Sequence, residues 1–297
     1  MKHLVVLIFS FILFIGASCK IKPKQEQAEL TKETIFPETL ITQLDSSLNE
    51  DSGIIYWNNL IWTFNDSGGK NQVYGCDPLS GKIKITLQFL NAWNTDWEDI
   101  AQDEKNIYIA ETGNNFGGRK DLQIYILRKN DVTDQAYQEV NVDRIAYRYA
   151  DQIHFGKGLK KHNFDCEALF AFNDSLYIFT KDWVDFKTRA YAMPAIPGDY
   201  ILLPVDSFDV KGLITGADIN ESGKIALMGY QDYRSFAWTF QKTGKHLFNQ
   251  PQYINLSMLV NAQTEGICFD PKGDLLFSCE KTDSYPQMVW VIPAGKY

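Results

Sequence analysis

The chain has no excess of positive charge that could serve a nucleic-acid partner. Of its 297 residues, 29 are lysine or arginine and 37 are aspartate or glutamate, which gives a formal net charge of -8. Because a protein that binds a phosphate backbone needs a basic face, this balance excludes nucleic acid as an expected partner.

The sequence also lacks the short motifs that mark familiar chemistry. Its five cysteines have no CxxC spacing, and its four histidines are scattered. We find no zinc motif, phosphate-binding loop or nucleophile elbow. Cys268 and Cys279 fall on neighbouring predicted strands without lying directly opposite each other. A disulfide between them is therefore permitted, but the spacing does not demand it.

Long apolar runs are absent except at the N-terminus. The run from Leu4 to Ile15 is apolar apart from Ser10, follows a basic start and leads through Gly16 to Cys19. A membrane-spanning helix needs about 20 apolar residues, so this shorter run is typical of a secretory signal. The segment resembles a bacterial lipoprotein signal, in which small residues lead into a lipid-modified cysteine, although Gly16 stands where leucine is usual. An ordinary signal peptide and a short anchor helix are the alternatives.

These features predict three segments. Residues 1–18 are the signal peptide, residues 19–36 are a polar tether that begins at lipidated Cys19, and residues 37–297 form one large domain. The expected location is the cell envelope, facing the periplasm or the exterior, with the outer membrane favoured. The membrane is thus an expected partner, contacted through the lipid.

A repeat runs through the large domain. Each copy begins with a four-residue segment, which we call the step, and continues through a polar turn into an apolar strand. The clearest steps are Trp97–Ile100, Cys166–Leu169 and Thr264–Ile267. Two weaker copies begin at Ser52 and Ala217. Most copies lie about 45 to 50 residues apart, which is the length of a four-stranded propeller blade. Aromatic residues, 14% of the chain, recur throughout it and also favour β-structure.

The repeat predicts an all-β protein, a β-propeller of five blades with four antiparallel strands each. Six blades are the main alternative, because the interval between Glu98 and Glu167 is long; a β-sandwich is another. The last copy has room for only three strands. We expect Glu38–Leu44 to supply the fourth strand and so to join the two ends of the ring.

Ring closure would bring the repeated acids together. The step begins the innermost strand of each blade, so Glu98, Glu167 and Glu265 should converge on one mouth of the central channel, with Asp218 displaced by one position. Converging carboxylates repel one another. A hard cation such as Ca²⁺ relieves this repulsion, and so do lysine, arginine or backbone N–H groups from neighbouring blades. The glutamates could alternatively serve only to join neighbouring blades.

The second strands place further polar residues near this mouth. Lys181 could neutralise Glu167, which would weaken the argument for a cation. Asn65 and Asp66 belong to a stretch that is equally typical of a tight turn. The candidates beyond the repeated glutamates are therefore Asn65, Asp66, Asp99, Glu111, Asn114, Arg119 and Lys181.

Several motifs together resemble a family of exported bacterial β-propellers. They are NDSGG (65–69), DWEDIA (96–101), ETGNN (111–115) with Arg119, DCEAL (165–169), TGADI (215–219) and TEGI (264–267). The family is similar in outline to TolB-like and calcium-dependent phosphotriesterase propellers, and more loosely to β-propeller phytases and SdiA-regulated propellers. The resemblance implies a Ca²⁺ site formed by Glu98, Glu167, Glu265, Asp218 and Asn114. The chain departs from it in lacking an evident basic cluster of the kind that a phytate site needs.

Two functional hypotheses follow. The first is a membrane-anchored binding module whose acidic channel mouth holds Ca²⁺ and binds a small molecule or another envelope protein. The second is a calcium-dependent hydrolase of lactones or phosphate esters that acts at the same mouth. Because one fold hosts many functions, the resemblance alone does not decide between them.

Overall fold

The computed structural model describes residues 34–41 and 43–297, which form five β-sheets around a central channel. The predicted signal peptide, Cys19 and most of the predicted tether lie outside the described residues. Within the described part, no helix is long and apolar enough to cross a membrane. The five-bladed β-propeller predicted from the repeat is confirmed, and a sixth blade is excluded from the described residues.

Blades 1 and 2 each contain five strands. From the channel outward, blade 1 consists of β2 (Asp51–Trp57), β3 (Leu60–Asn65), β4 (Gln72–Cys76), β5 (Ile83–Phe89) and β9 (Tyr137–Val140). Blade 2 consists of β6 (Trp97–Gln102), β7 (Asn106–Glu111), β8 (Gln123–Arg128), β10 (Asp143–Tyr149) and β14 (Gly198–Leu202). A 3-10 turn, Lys129–Asp131, follows β8.

Blades 3, 4 and 5 each contain four strands. Blade 3 consists of β11 (Cys166–Phe172), β12 (Ser175–Thr180), β13 (Thr188–Pro194) and β15 (Pro204–Phe208). Blade 4 consists of β16 (Leu213–Ile219), β17 (Lys224–Gln231), β18 (Arg234–Thr243) and β19 (His246–Val260). Blade 5 consists of β20 (Thr264–Phe269), β21 (Leu275–Cys279), β22 (Met288–Ile292) and β1 (Glu38–Ile41), and a 3-10 turn, Ala294–Lys296, follows β22.

The N-terminal strand closes the ring, as the sequence predicts. β1 pairs antiparallel with β22, so the two ends of the described chain share one sheet. Ile41 and Leu44 are buried in a cluster that also contains residues of blade 1. We call this pairing of β1 (Glu38–Ile41) with β22 the clasp. It covers the edge of β22, which would otherwise expose unpaired backbone groups.

The long interval between Glu98 and Glu167 contains an exchanged strand instead of a sixth blade. In the sequence β9 lies between two strands of blade 2, but it pairs in parallel with β5 of blade 1. In the same way, β14 lies between two strands of blade 3 in the sequence, but it pairs in parallel with β10 of blade 2. Each exchanged strand covers the outer edge of the preceding blade.

Apolar side chains fill the spaces between blades. Five clusters of buried residues are present in the described part, and each combines residues from two neighbouring blades. Cys268 and Cys279 belong to different clusters, on opposite faces of blade 5. They are therefore not bridged, and Cys76 and Cys166 are also free, buried thiols.

Every innermost strand carries a β-bulge near its start. In blade 3, Cys166 pairs with Thr180 and Ala168 pairs with Phe179, so Glu167 is the extra residue. A bulge re-aims the side chain of its extra residue. The equivalent positions in the five blades, in chain order, are Ser52, Glu98, Glu167, Thr215 and Glu265.

Candidate functional site

The bulged residues lie at one end of the channel, which we call the channel mouth. A polar cavity of about 220 Å³ opens there. Because the bulges recur at equivalent positions, ring closure brings together side chains that are far apart in sequence. The cavity is lined by Ser52, Asp66, Glu98, Asn115, Lys160, Glu167, Lys181, Trp183, Tyr230, Gln263, Glu265 and Glu280.

Glu98 lies at the centre of a cluster of carboxylates. Its carboxylate oxygen is within 4.8 Å of oxygens of Asp66 and Asp96 on one side, and of Asp165 and Glu167 on the other. The residue is only 5% exposed. Among the described residues, no hydrogen bond or ion pair reaches its carboxylate. A buried charge without a partner is costly, so this group needs either a proton or a cation.

The turn after β7 makes room for two of these acids. A Cβ added to Gly113 would lie 2.0 Å from Oε1 of Glu98 and 2.2 Å from an oxygen of Asp96. No side chain larger than hydrogen fits between the backbone and the two carboxylates. The glycine of the ETGNN segment is thus required by the close approach of the acids.

Lys181 supplies one positive charge to the cavity. Its Nζ donates to Oε2 of Glu167 at 2.9 Å, and both side chains are buried. Burial alone would lower the pKa of Lys181, but the charge of Glu167 and the neighbouring acids raise it overall. The lysine therefore stays protonated. It compensates for Glu167 and leaves the other acids of the cluster unpaired by lysine.

The remaining acids hold their protons more tightly than usual. Burial, followed by the charge of Glu167, raises the pKa of Asp66 to about 7 and that of Asp96 to about 6. The same two causes raise the pKa values of Glu98 and Asp165 well above their ordinary range. Burial also raises the pKa of Glu265. Asp66 and Asp96 therefore titrate near neutral pH instead of in the ordinary range of a carboxyl group.

Two loops hold Asp165 in place. Its Oδ1 accepts the backbone N–H of Asn114 at 2.6 Å, and its Oδ2 accepts the indole N–H of Trp183 at 2.7 Å. The Asn114 side chain donates to the Phe164 carbonyl and accepts the backbone N–H of Arg119. The side chain of Asn114, a predicted metal ligand, is therefore engaged in joining the loops.

Glu111 and Arg119 form a brace beside the cluster. Arg119 contacts Oε1 of Glu111 at 2.7 Å, and Oε2 of Glu111 accepts the backbone N–H of Thr95 at 2.8 Å. The brace supports the chain immediately before Asp96. Asn65 has a comparable structural role, since its side chain donates to the Ser47 carbonyl.

Asp99 joins the innermost strands of three blades. It accepts the backbone N–H groups of Ile100, Leu169 and Ala217 at 2.8, 2.9 and 3.3 Å, which belong to three different blades. Asp218 is bonded to the neighbouring blade, where it accepts the Phe269 N–H. The sequence alignment placed Asp218 beside the mouth because it matched Ala217 to the repeated glutamates, whereas the strand register puts Thr215 at that position.

The structure thus gathers some of the predicted residues and separates others. Asp66, Glu98, Glu167, Lys181 and Glu265 line the cavity, whereas Asn65, Asp99, Glu111, Asn114, Arg119 and Asp218 do not. Asp96 and Asp165 were missed as candidates. Both stand two residues before a repeated glutamate, as DWE and DCE, and this shared spacing could have identified them. The acidic cluster is compatible with a metal ion, while the role of each residue as a ligand stays a prediction.

Comparison with known proteins supports the fold. No family model and no curated protein matches the chain. A glucose dehydrogenase structure is 8% identical, with a TM-score of 0.51, over 85% of this chain and 98% of that one. At this identity the likeness shows the fold alone.

Two further solved structures have lower TM-scores. A calcium-binding protein, regucalcin, from Agrobacterium tumefaciens is 11% identical with a TM-score of 0.43, over 88% of this chain and 95% of that one. A luciferin-regenerating enzyme is 12% identical with a TM-score of 0.45, over 84% and 94% of the two chains. At TM-scores below 0.5, these similarities add nothing to the conclusion about the fold.

Proposed function

We propose that this protein is a membrane-anchored, extracytoplasmic module whose channel mouth binds Ca²⁺ and, through it, a ligand or partner protein. The observation that carries the proposal is the buried Glu98 carboxylate, which lacks a hydrogen-bond donor and joins two groups of three acids. The predicted lipid on Cys19 supplies the anchor.

The donor set fits a hard cation better than a soft one. Among the described residues, the cavity lining contains no histidine or cysteine, which are the ligands that Zn²⁺ and other softer metals prefer. Ca²⁺ accepts six to eight oxygen ligands in flexible geometry, whereas Mg²⁺ demands near-ideal octahedral geometry and retains several waters. Acids from blades 1, 2 and 3, held on separate elements, match the more tolerant ion.

Calcium titration by calorimetry tests the proposal. The protein is the chain from residue 19 onward with Cys19→Ser, which keeps every described strand and removes the lipid. We expect Glu98→Gln to weaken Ca²⁺ binding at least about tenfold, or about 1.4 kcal/mol, because it removes the carboxylate shared by both groups of acids. The matched control is Glu104→Gln, which changes an exposed glutamate between β6 and β7.

Two outcomes would contradict the proposal. The unsubstituted protein could fail to bind Ca²⁺, or Glu98→Gln could bind it as tightly as Glu104→Gln does. The second outcome would move the ion away from the channel mouth.

A second candidate function is calcium-dependent hydrolysis of a phosphate ester or a lactone. It is favoured by Asp66 and Asp96, two acids of the cluster whose pKa values lie near neutrality, since a general acid or base works best near the operating pH. p-Nitrophenyl phosphate and a simple lactone are suitable probes. Turnover that needs Ca²⁺ and is lost in Glu98→Gln would favour the enzyme; Ca²⁺ binding without turnover of either probe would favour the binding module.

A further inference from the structure

We propose that three loops beside the channel mouth form a surface that binds an anionic phospholipid bilayer. The loops are residues 112–122, 150–165 and 181–187, and we call them together the loop surface. They follow β7, β10 and β12, whose ends at Glu111, Tyr149 and Thr180 all lie on the mouth side of their blades.

The three loops are joined into one unit by hydrogen bonds. The backbone N–H of Gly156 donates to the Gly117 carbonyl at 2.8 Å, and that of Lys160 donates to the Asn115 carbonyl at 2.8 Å. The third loop is attached where the Val184 N–H donates to the Asn163 side chain at 2.9 Å. Apolar residues on these loops therefore belong to one continuous surface.

Large apolar side chains protrude from each loop. Phe116 is 62% exposed, Ile153 is 77% exposed and Val184 is 60% exposed, although each has a buried neighbour close by in the chain. Phe155, Leu159 and Phe186 on the same loops are also exposed. A concentration of exposed apolar residues on one surface marks an interaction site.

The surface is basic, although the protein as a whole is acidic. Exposed lysines stand among the apolar residues, and none of them forms an ion pair with a described residue; they are Lys120, Lys157, Lys160, Lys161 and Lys187.

The same loops carry fewer exposed acids than exposed lysines. Asp121 pairs with Arg119, Asp185 pairs with Arg189, and Asp151 accepts the hydroxyl of Tyr191. Because the five lysines outnumber these three acids, the loop surface carries a local positive charge. An anionic partner is electrostatically complementary to this surface.

A bilayer fits these features better than a folded acidic protein. The apolar side chains stand on separate loops instead of lining one groove, and a bilayer interface admits such protruding side chains while lysines reach the headgroups. Lysines near an anionic membrane are attracted to its negative surface potential and so strengthen binding. The inference depends on the proposed function in one respect only, which is that the lipid anchor holds the protein close to a membrane.

Cosedimentation with vesicles tests the inference. The protein is again the Cys19→Ser chain from residue 19, so binding cannot come from a lipid anchor. The vesicles contain phosphatidylglycerol and phosphatidylcholine in equal parts, or phosphatidylcholine alone. We expect binding to the mixed vesicles, and at least about tenfold weaker binding for Phe155→Ser/Leu159→Ser and for Lys157→Glu/Lys161→Glu. None of these four residues lines the cavity.

The matched control is Leu79→Ser/Lys82→Glu. These exposed residues follow β4 at the end opposite the mouth, since Cys76 pairs with Ile61 at the far end of β3. The control should bind mixed vesicles as the unsubstituted protein does. Near-ultraviolet circular dichroism of each variant verifies that the propeller remains folded.

The inference is overturned if the protein ignores mixed vesicles, including the case in which it binds only an acidic protein. It is also overturned if folded loop variants bind as tightly as the control. Vesicle binding is also measured for Glu98→Gln in the presence of EDTA, where the proposed Ca²⁺ site is disabled. This measurement tests the loop surface by itself, so that either proposal can fail without the other.

Discussion

Lys181 has two opposing effects at the channel mouth. Its ammonium compensates the buried Glu167 carboxylate at 2.9 Å, and it also places a positive charge beside the acids proposed to hold Ca²⁺. The same side chain therefore stabilises the cation-free protein and opposes cation binding.

Replacing Lys181 separates the two effects. We expect Lys181→Met to lower the free energy of unfolding in EDTA by about 3 kcal/mol, because it leaves Glu167 as an uncompensated buried charge. Ca²⁺ affinity should rise, since a competing positive charge is gone. Chemical denaturation and calorimetry measure the two quantities, with the exposed Lys211→Met as control. A loss of Ca²⁺ affinity in Lys181→Met would contradict this role.

At the scale of single residues, the sequence predicted the repeated acids better than their surroundings. Glu98, Glu167 and Glu265 could be aligned because each stands in a similar local step. Asp218 was misaligned because Thr215, the residue equivalent to the glutamates, carries no acid, and the nearby Asp218 was matched to the repeat in its place. The engagement of Asn114 with Phe164 depends on how two loops meet, about fifty residues apart in the chain, which local patterns do not encode.

Strands that cross between blades are the main feature of the fold at the scale of elements. β1 closes blade 5, β9 extends blade 1 and β14 extends blade 2. The closure by β1 was predicted because the last repeat lacked one strand. β9 and β14 were not predicted, since they add to blades that are already complete and pair with strands from another repeat.

The clasp makes a specific contribution to stability. Ile41 is 2% exposed and packs in the cluster between blades 5 and 1. We expect Ile41→Ala to lower the free energy of unfolding by about 3 kcal/mol, because it removes buried methyl groups and leaves a cavity.

Thr39→Ala, at an exposed position of the same strand, should change this free energy by less than about 0.5 kcal/mol. Urea denaturation of both variants measures the difference. Equal stability of the two variants would show that the clasp does not hold the ring closed.

At the scale of the whole molecule, the acids are unevenly distributed, and several of those at the mouth titrate near neutral pH. Burial is the first cause that raises the pKa of Asp66 to about 7 and that of Glu280 to about 8. In the unfolded chain these groups return to ordinary values near 4. At pH values between the unfolded and the folded pKa of these groups, the folded protein therefore holds more protons than the unfolded chain.

The stability of the cation-free protein should therefore fall as the pH rises. We expect a lower unfolding temperature at about pH 8.5 than at about pH 6.5 in EDTA, because deprotonation leaves the mouth with unpaired charges. His162, whose pKa is lowered by burial, titrates below this window. Saturating Ca²⁺ should reduce or reverse the fall, since the ion replaces the lost protons. Scanning calorimetry at the two pH values measures both effects; an unfolding temperature independent of pH in EDTA would contradict the expectation.

The hydrogen bonds of Asp99 affect how a small molecule could enter and leave the channel. By accepting N–H groups of three blades, this carboxylate joins the innermost strands of blades 2, 3 and 4. We infer that the channel is closed there, so that the mouth is its opening and whatever enters must leave by the same route. If the loop surface rests on a bilayer, that opening lies beside the membrane, and exchange with the surrounding water slows each time the protein settles there.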